Sequence, residues 1–150
     1  MHKQKIVFII LRLVMGFMFL WAFFDKVFGL GFATTADKAW INGVSPTAGF
    51  LSFATEGPFV NIFHALAGVA VVDWLFMLGL LFAGLTLVFN KFIKWGCIAG
   101  CLMLFFMYLS LLWPENNPII DEHIVYILVL ILIAFNNKNN IEQKPTTLNL

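Results

Sequence analysis

The chain has 150 residues, enough for one domain. With 61% hydrophobic and 11% charged residues and a mean hydropathy of +0.93, it departs from soluble domains, about a quarter of whose residues are charged. A formal net charge of +1 and the lack of a Gly-rich phosphate loop give no hint of nucleic acid, and 18 Phe exceed what a soluble core of this size holds.

A helix needs about 20 largely apolar residues to cross about 30 Å of hydrocarbon. Residues 6–28, 69–89, 93–113 and 118–135 meet or approach that length. The first lies in a chain start, MHKQKIVFIILRLVMGF, that opens like a signal peptide. No small-residue cleavage pattern follows and the run continues to Phe28, so a retained membrane segment is expected. A soluble bundle would show polar outer faces, and LVLILIAF has none. The expected fold is therefore all-α: an integral membrane four-helix bundle over residues 1–135, with a disordered cytoplasmic tail at 136–150.

Between the first two spans lies a long outer loop, residues 29–68. Thr35 is placed to start a short helix that Gly43 ends, and Ser45-Pro46 and Gly57-Pro58 are two further start signals. Phe59, Ile62, Phe63 and Leu66 then recur at helical spacing, as in a helix lying on a membrane surface or covering the bundle end.

Lys3, Lys5, Lys91, Lys94, Lys138 and Lys144 gather at one side of a four-span chain, and most acids at the other. The positive-inside rule then sets both termini in the cytoplasm of a multi-pass cell-membrane protein.

Two charges lie deeper. Arg12 stands seven residues beyond Lys5, about 10 Å along the helix; it either snorkels to headgroups or pairs inside the bundle with carbonyls or a ligand headgroup. Asp73, in AGVAVVDWLFML, is expected to be protonated or paired at the outer interface; Lys26 is the strong cation at that depth, and Asp25 competes for it. An outer cluster of Asp25, Lys26, Asp73, Asp121, Glu122 and His123 is expected.

NPIIDEHIVY admits two readings. In one, Asn117 is an N-cap, Pro118 the first helical residue, and Asp121 and Glu122 first-turn acids that complement the helix dipole. In the other, Glu122, His123 and Tyr126 form one stripe of proton acceptors and donors suited to a quinone headgroup. Cys97 and Cys101, with Gly96 and Gly100, read as close-packing residues, as do Gly79 and Gly84. No metal site is expected, and His64 with His123 is a weak haem pair.

LRLVMGFMFLWAFFDKVF, DWLFMLGLLFAGLTLVFNKFIKWG and NPIIDEHIVYILVLILIAF resemble spans of the DoxX/DoxD membrane family, over about residues 11–135. The last is similar to the DoxD-type small subunit of thiosulfate:quinone oxidoreductase. The resemblance implies four spans and carries over onto Arg12, Lys26, Asp73, Asn117, Pro118, His123 and Tyr126. NNKNNIEQK replaces the family's basic Gly-rich ending, and AFFDK lacks the small residue usual beside the cation.

Three functions are weighed. The first is a membrane subunit supporting quinone-linked oxidoreduction, of a sulfur compound under the resemblance, with quinone as ligand and a partner subunit that oxidises the donor. Its candidate binding residues are Arg12, Lys26, Asp73, Asp121, Glu122, His123 and Tyr126. The second is a non-catalytic membrane anchor or scaffold. The third is a small-solute carrier, which four short spans without repeat symmetry disfavour unless the chain forms a homo-oligomer.

Overall fold

The computed structural model describes residues 2–114, 117 and 119–142, and side chains at 4–114, 117 and 119–137. Its described elements are helices, joined by one isolated bridge between Glu56 and Leu111. Helix α1 is His2–Phe28, α2 Ala48–Phe53, α3 Val60–Leu66, α4 Ala70–Phe89, α5 Ile93–Ser110 and α6 Glu122–Glu142, with 3-10 turns at Ala36–Lys38 and Trp40–Asn42.

Three helical segments are long and apolar enough to cross a membrane: Gln4–Phe28, Ala70–Phe89 and Ile93–Ser110. The apolar part of α6, Glu122–Asn137, is shorter. The four long helices close a ring in which α1 packs on α4, α4 on α5, α5 on α6 and α6 on α1. Met77, Leu87 and Leu130 are fully buried at its centre, with Met15, Phe19 and Leu80 around them. Outward, Val7, Ile10, Phe17, Leu75, Trp95 and Leu128 are each at least half exposed. An apolar surface so continuous is unsupportable in water and matches lipid.

Close helix approach rests on small residues. A Cβ on Gly16 would stand 2.8 Å from Val88 Cγ2, one on Gly84 2.6 Å from Leu20 Cγ, and one on Gly96 would fall on Thr86 Oγ1. Lipid tails are as apolar as the helices, so van der Waals packing through such positions, rather than water exclusion, holds spans together. The packing expected of Gly79, Gly84, Gly96 and Gly100 is found, while Gly16 is an addition that the sequence reading passed over.

In the long loop Thr35 precedes the 36–38 turn without a side-chain capping bond, and an extended Ala39 divides the short helix expected up to Gly43 into two 3-10 turns. Gly43 ends the 40–42 turn at φ 80°, and Ser45 Oγ accepts the Ala48 N–H at 3.0 Å to open α2. Gly57, at φ +79°, lies so close to Leu112 O that a Cβ would overlap it, and Glu56 N–H donates to Ser110 O at 2.8 Å. The loop is thereby laid against the end of α5.

The last helix differs from expectation. It begins at Glu122, not near Pro118. Asn117 Oδ1 accepts from Ile119 N–H at 2.9 Å and Ile120 N–H at 3.0 Å, a local turn rather than a helix cap. Asp121 Oδ1 accepts from His123 N–H at 3.0 Å and Ile124 N–H at 3.2 Å, and so is the N-cap. Tyr108 O–H donates to Ile119 O at 2.6 Å and fastens the preceding segment to α5. Pro118 lies outside the described residues. Helix α6 runs on to Glu142, into the segment read as tail; residues 143–150 of that tail lie outside the described residues.

Candidate functional site

The charged residues expected to cluster at the outer end divide into separate networks. Asp25, 1% exposed, sits one turn before the end of α1. Its carboxylate accepts from Phe32 N–H at 3.3 Å and Ala33 N–H at 3.0 Å. Those bonds fold the chain back over its own helix end, where backbone donors would otherwise lack partners.

Lys26 and Asp73 do not pair with each other, as the sequence reading expected. Lys26 Nζ donates to Pro46 O at 3.2 Å and stands 5.8 Å from the Phe76 ring centroid. Asp73 Oδ1 accepts from Ser45 Oγ–H at 2.8 Å and Thr47 Oγ1–H at 2.5 Å. The two side chains thus grip the 45–47 segment from α1 and α4. The reason is geometric: a three-residue turn with two hydroxyls and a free carbonyl offers each charge a neutral partner. The signal in the sequence was SPT, read only as a helix start.

At the opposite end, the Arg12 question resolves onto backbone. Its guanidinium donates to Leu87 O and, at 3.2 Å, to Val88 O. These carbonyls belong to the last turn of α4, whose ends lack intrahelical partners and carry partial negative charge. Gly16, one turn further along α1, admits Val88 against the helix and brings α4 within reach.

Asp121 and His123 remain. His123 Nδ1 lies 2.7 Å from Asp121 Oδ2, the single ion-pair geometry among the described residues. His123 is 6% exposed. Every fully buried side-chain nitrogen or oxygen among the described residues has a hydrogen-bond partner; the imidazole Nε2 makes no hydrogen bond among them, so that atom is not fully buried. Donation from Nδ1–H to the carboxylate fixes the ring and leaves Nε2 to take or give a proton. Glu122 is exposed, whereas Tyr126 packs against the core, so the three do not form one open stripe.

A groove of about 320 Å³ reaches Asp121 but not the His123 ring, and is lined by Glu56, Trp113, Asp121 and Glu122 among others, with no basic side chain. Asp121, Glu122 and His123 present ligand atoms within 4.8 Å of one another. Within that group Asp121 directs one oxygen to the helix start and the other to His123, which leaves Glu122 and Nε2 uncommitted among the described residues, fewer than the four ligands of a closed structural site. Cys97 and Cys101 are free thiols within the bundle, and Cys101 Sγ approaches Ile127 O at 3.9 Å. No family model, curated protein or solved structure matches the chain.

Proposed function

We propose that the chain is a four-span membrane subunit of the DoxX/DoxD kind that supports quinone-linked oxidoreduction, with a partner subunit supplying electrons. Both termini lie in the cytoplasm, and α2 and α3 rest at the outer surface of the cell membrane, Phe53 and Ile62 toward lipid. The carrying observation is the Asp121–His123 pair at 2.7 Å. Quinone reduction consumes protons as well as electrons, and a ring nitrogen tied to a carboxylate on one side and open on the other suits their delivery. The adjoining groove carries Glu56, Asp121 and Glu122, so it suits a neutral headgroup and repels a sulfur anion. Under this reading, any anionic donor is oxidised on the partner.

A second reading draws on a separate observation: Asp25, Lys26 and Asp73 are bonded to loop groups, and Arg12 to helix carbonyls. That use of charge suits an anchor or scaffold with no reaction of its own.

A titration with a short-chain quinone, read by tryptophan fluorescence, separates the two. Trp113 lines the groove, so occupancy quenches it. The redox reading expects saturable quenching that weakens at least fivefold in His123→Gln and is unchanged in Lys38→Gln. Linear, partition-like quenching in all three proteins refutes it and leaves the scaffold.

A further inference from the structure

At the end of the bundle that holds the start of α1 and the α4–α5 turn lies a second groove, of about 340 Å³. It is independent of the quinone reading and shares with it only the treatment of the apolar helices as membrane spans. Lys5 and Arg12 of α1, Asn90 of the turn and Asn136 and Asn137 of α6 supply its polar lining, and Phe8 and Ile133 belong to its apolar wall. No carboxylate lines it. Among the described residues the Asp121–His123 pair is the sole ion pair, so neither cation is paired with an acid there.

Arg12 is held in place by one nitrogen, Nη1, on the Leu87 and Val88 carbonyls. It makes no other hydrogen bond among the described residues, and no fully buried nitrogen there is without a partner, so its other N–H groups remain accessible. A guanidinium fixed on one edge and open on the other is pre-organised for a planar or tetrahedral oxyanion. Lys5 is exposed and lies two helical turns away, on the same face of α1. Two cations, amides and a greasy wall that continues into the exposed Ile9 and Leu13 surface match a phosphate carrying acyl chains. Basic pockets between spans hold anionic headgroups by this chemistry.

We propose that this groove binds a phosphate group, supplied by an anionic phospholipid whose acyl chains lie along Phe8 and Ile133. The test uses the full chain, stripped of lipid in an uncharged detergent. It is titrated separately with phosphatidylglycerol, with diacylglycerol of the same acyl chains, and with glycerol 3-phosphate, and bound molecules are counted by native mass spectrometry. Phosphatidylglycerol is expected to bind at least tenfold more tightly than diacylglycerol, and about fivefold less tightly in Lys5→Gln, the loss of one basic residue near a membrane surface. Arg12→Gln should weaken it further, but that change also uncaps α4; Lys5→Gln, exposed and without a partner among the described residues, decides the matter if the Arg12 variant does not fold. Glycerol 3-phosphate binding as tightly as the lipid would uphold the phosphate site and overturn the lipid as its source. Equal binding of phosphatidylglycerol and diacylglycerol, or no change in Lys5→Gln, overturns the proposal. Quenching at Trp113 is read at the other end, so either idea can fail alone.

Discussion

Replacing Asp73 with Ala removes the acceptor that two loop hydroxyls share. Thr47, 5% exposed, donates at 2.5 Å, and Ser45, half-buried, donates at 2.8 Å. A hydrogen bond to a carboxylate contributes about 1.5–3 kcal/mol, and a buried donor left unpaired costs about 1–3 kcal/mol. The two sites are not equal. Ser45 can turn its hydroxyl to water while its oxygen still caps Ala48 N–H at 3.0 Å, so its loss is near the bottom of the range. Thr47 has no such exit. The expected cost of Asp73→Ala is about 3 kcal/mol. Asp73→Asn keeps an oxygen for both donors and loses the charge-assisted part, about half of each bond, so about 1.5 kcal/mol is expected.

Reversible unfolding in mixed detergent micelles measures both, together with Thr47→Val and the double variant Asp73→Ala/Thr47→Val. Coupling in that cycle should be about 1.5 kcal/mol, because the single changes break the same bond. Three results would refute the reasoning: Asp73→Ala within about 0.5 kcal/mol of the parent, Asn as costly as Ala, or zero coupling. The last would mean that Asp73 acts on something other than the 45–47 turn.

Two further outcomes follow from the packing and the topology. Gly96→Ala drives a methyl group onto Thr86 Oγ1 and should cost about 1–3 kcal/mol, the usual range for overpacking; Thr86→Ala, which clears that space, should restore most of it, and no rescue would show that α4 and α5 do not meet there. Under the proposed topology, in a background without native cysteines, Lys94→Cys should react with an impermeant thiol reagent only from the cytoplasmic side and Lys38→Cys only from outside. The same side for both would refute that proposal.

Much of the architecture was legible because lipid imposes long apolar runs, and turn chemistry marks where they break. Gly43, Ser45 and Gly57 act where their residue types indicated. The start of α6 was not legible. Asn117 and Asp121 are both good caps, four residues apart, and periodicity cannot choose between them. The choice is made by Tyr108, whose hydroxyl holds Ile119 O and keeps that residue outside the helix. The outer cluster failed for a related reason. Depth along a span can be counted in sequence, but rotation about the helix axis and the path of a 41-residue connection between α1 and α4 cannot.

That failure narrows the question of function. A charge that satisfies backbone or hydroxyl groups in the resting fold is expensive to recruit for chemistry, because each bond broken leaves a buried donor or acceptor unpaired. Asp25 holds two backbone N–H groups, Asp73 two hydroxyls, Lys26 a carbonyl, and Arg12 two carbonyls with one edge left over. His123 differs in kind. Its bond to Asp121 consumes one ring nitrogen and orients the other, so proton exchange at Nε2 leaves every observed hydrogen bond intact. Of the polar groups at that end of the bundle, it can exchange a proton without loosening the fold, which is why weakened quinone quenching with retained stability in His123→Gln discriminates a site from a scaffold.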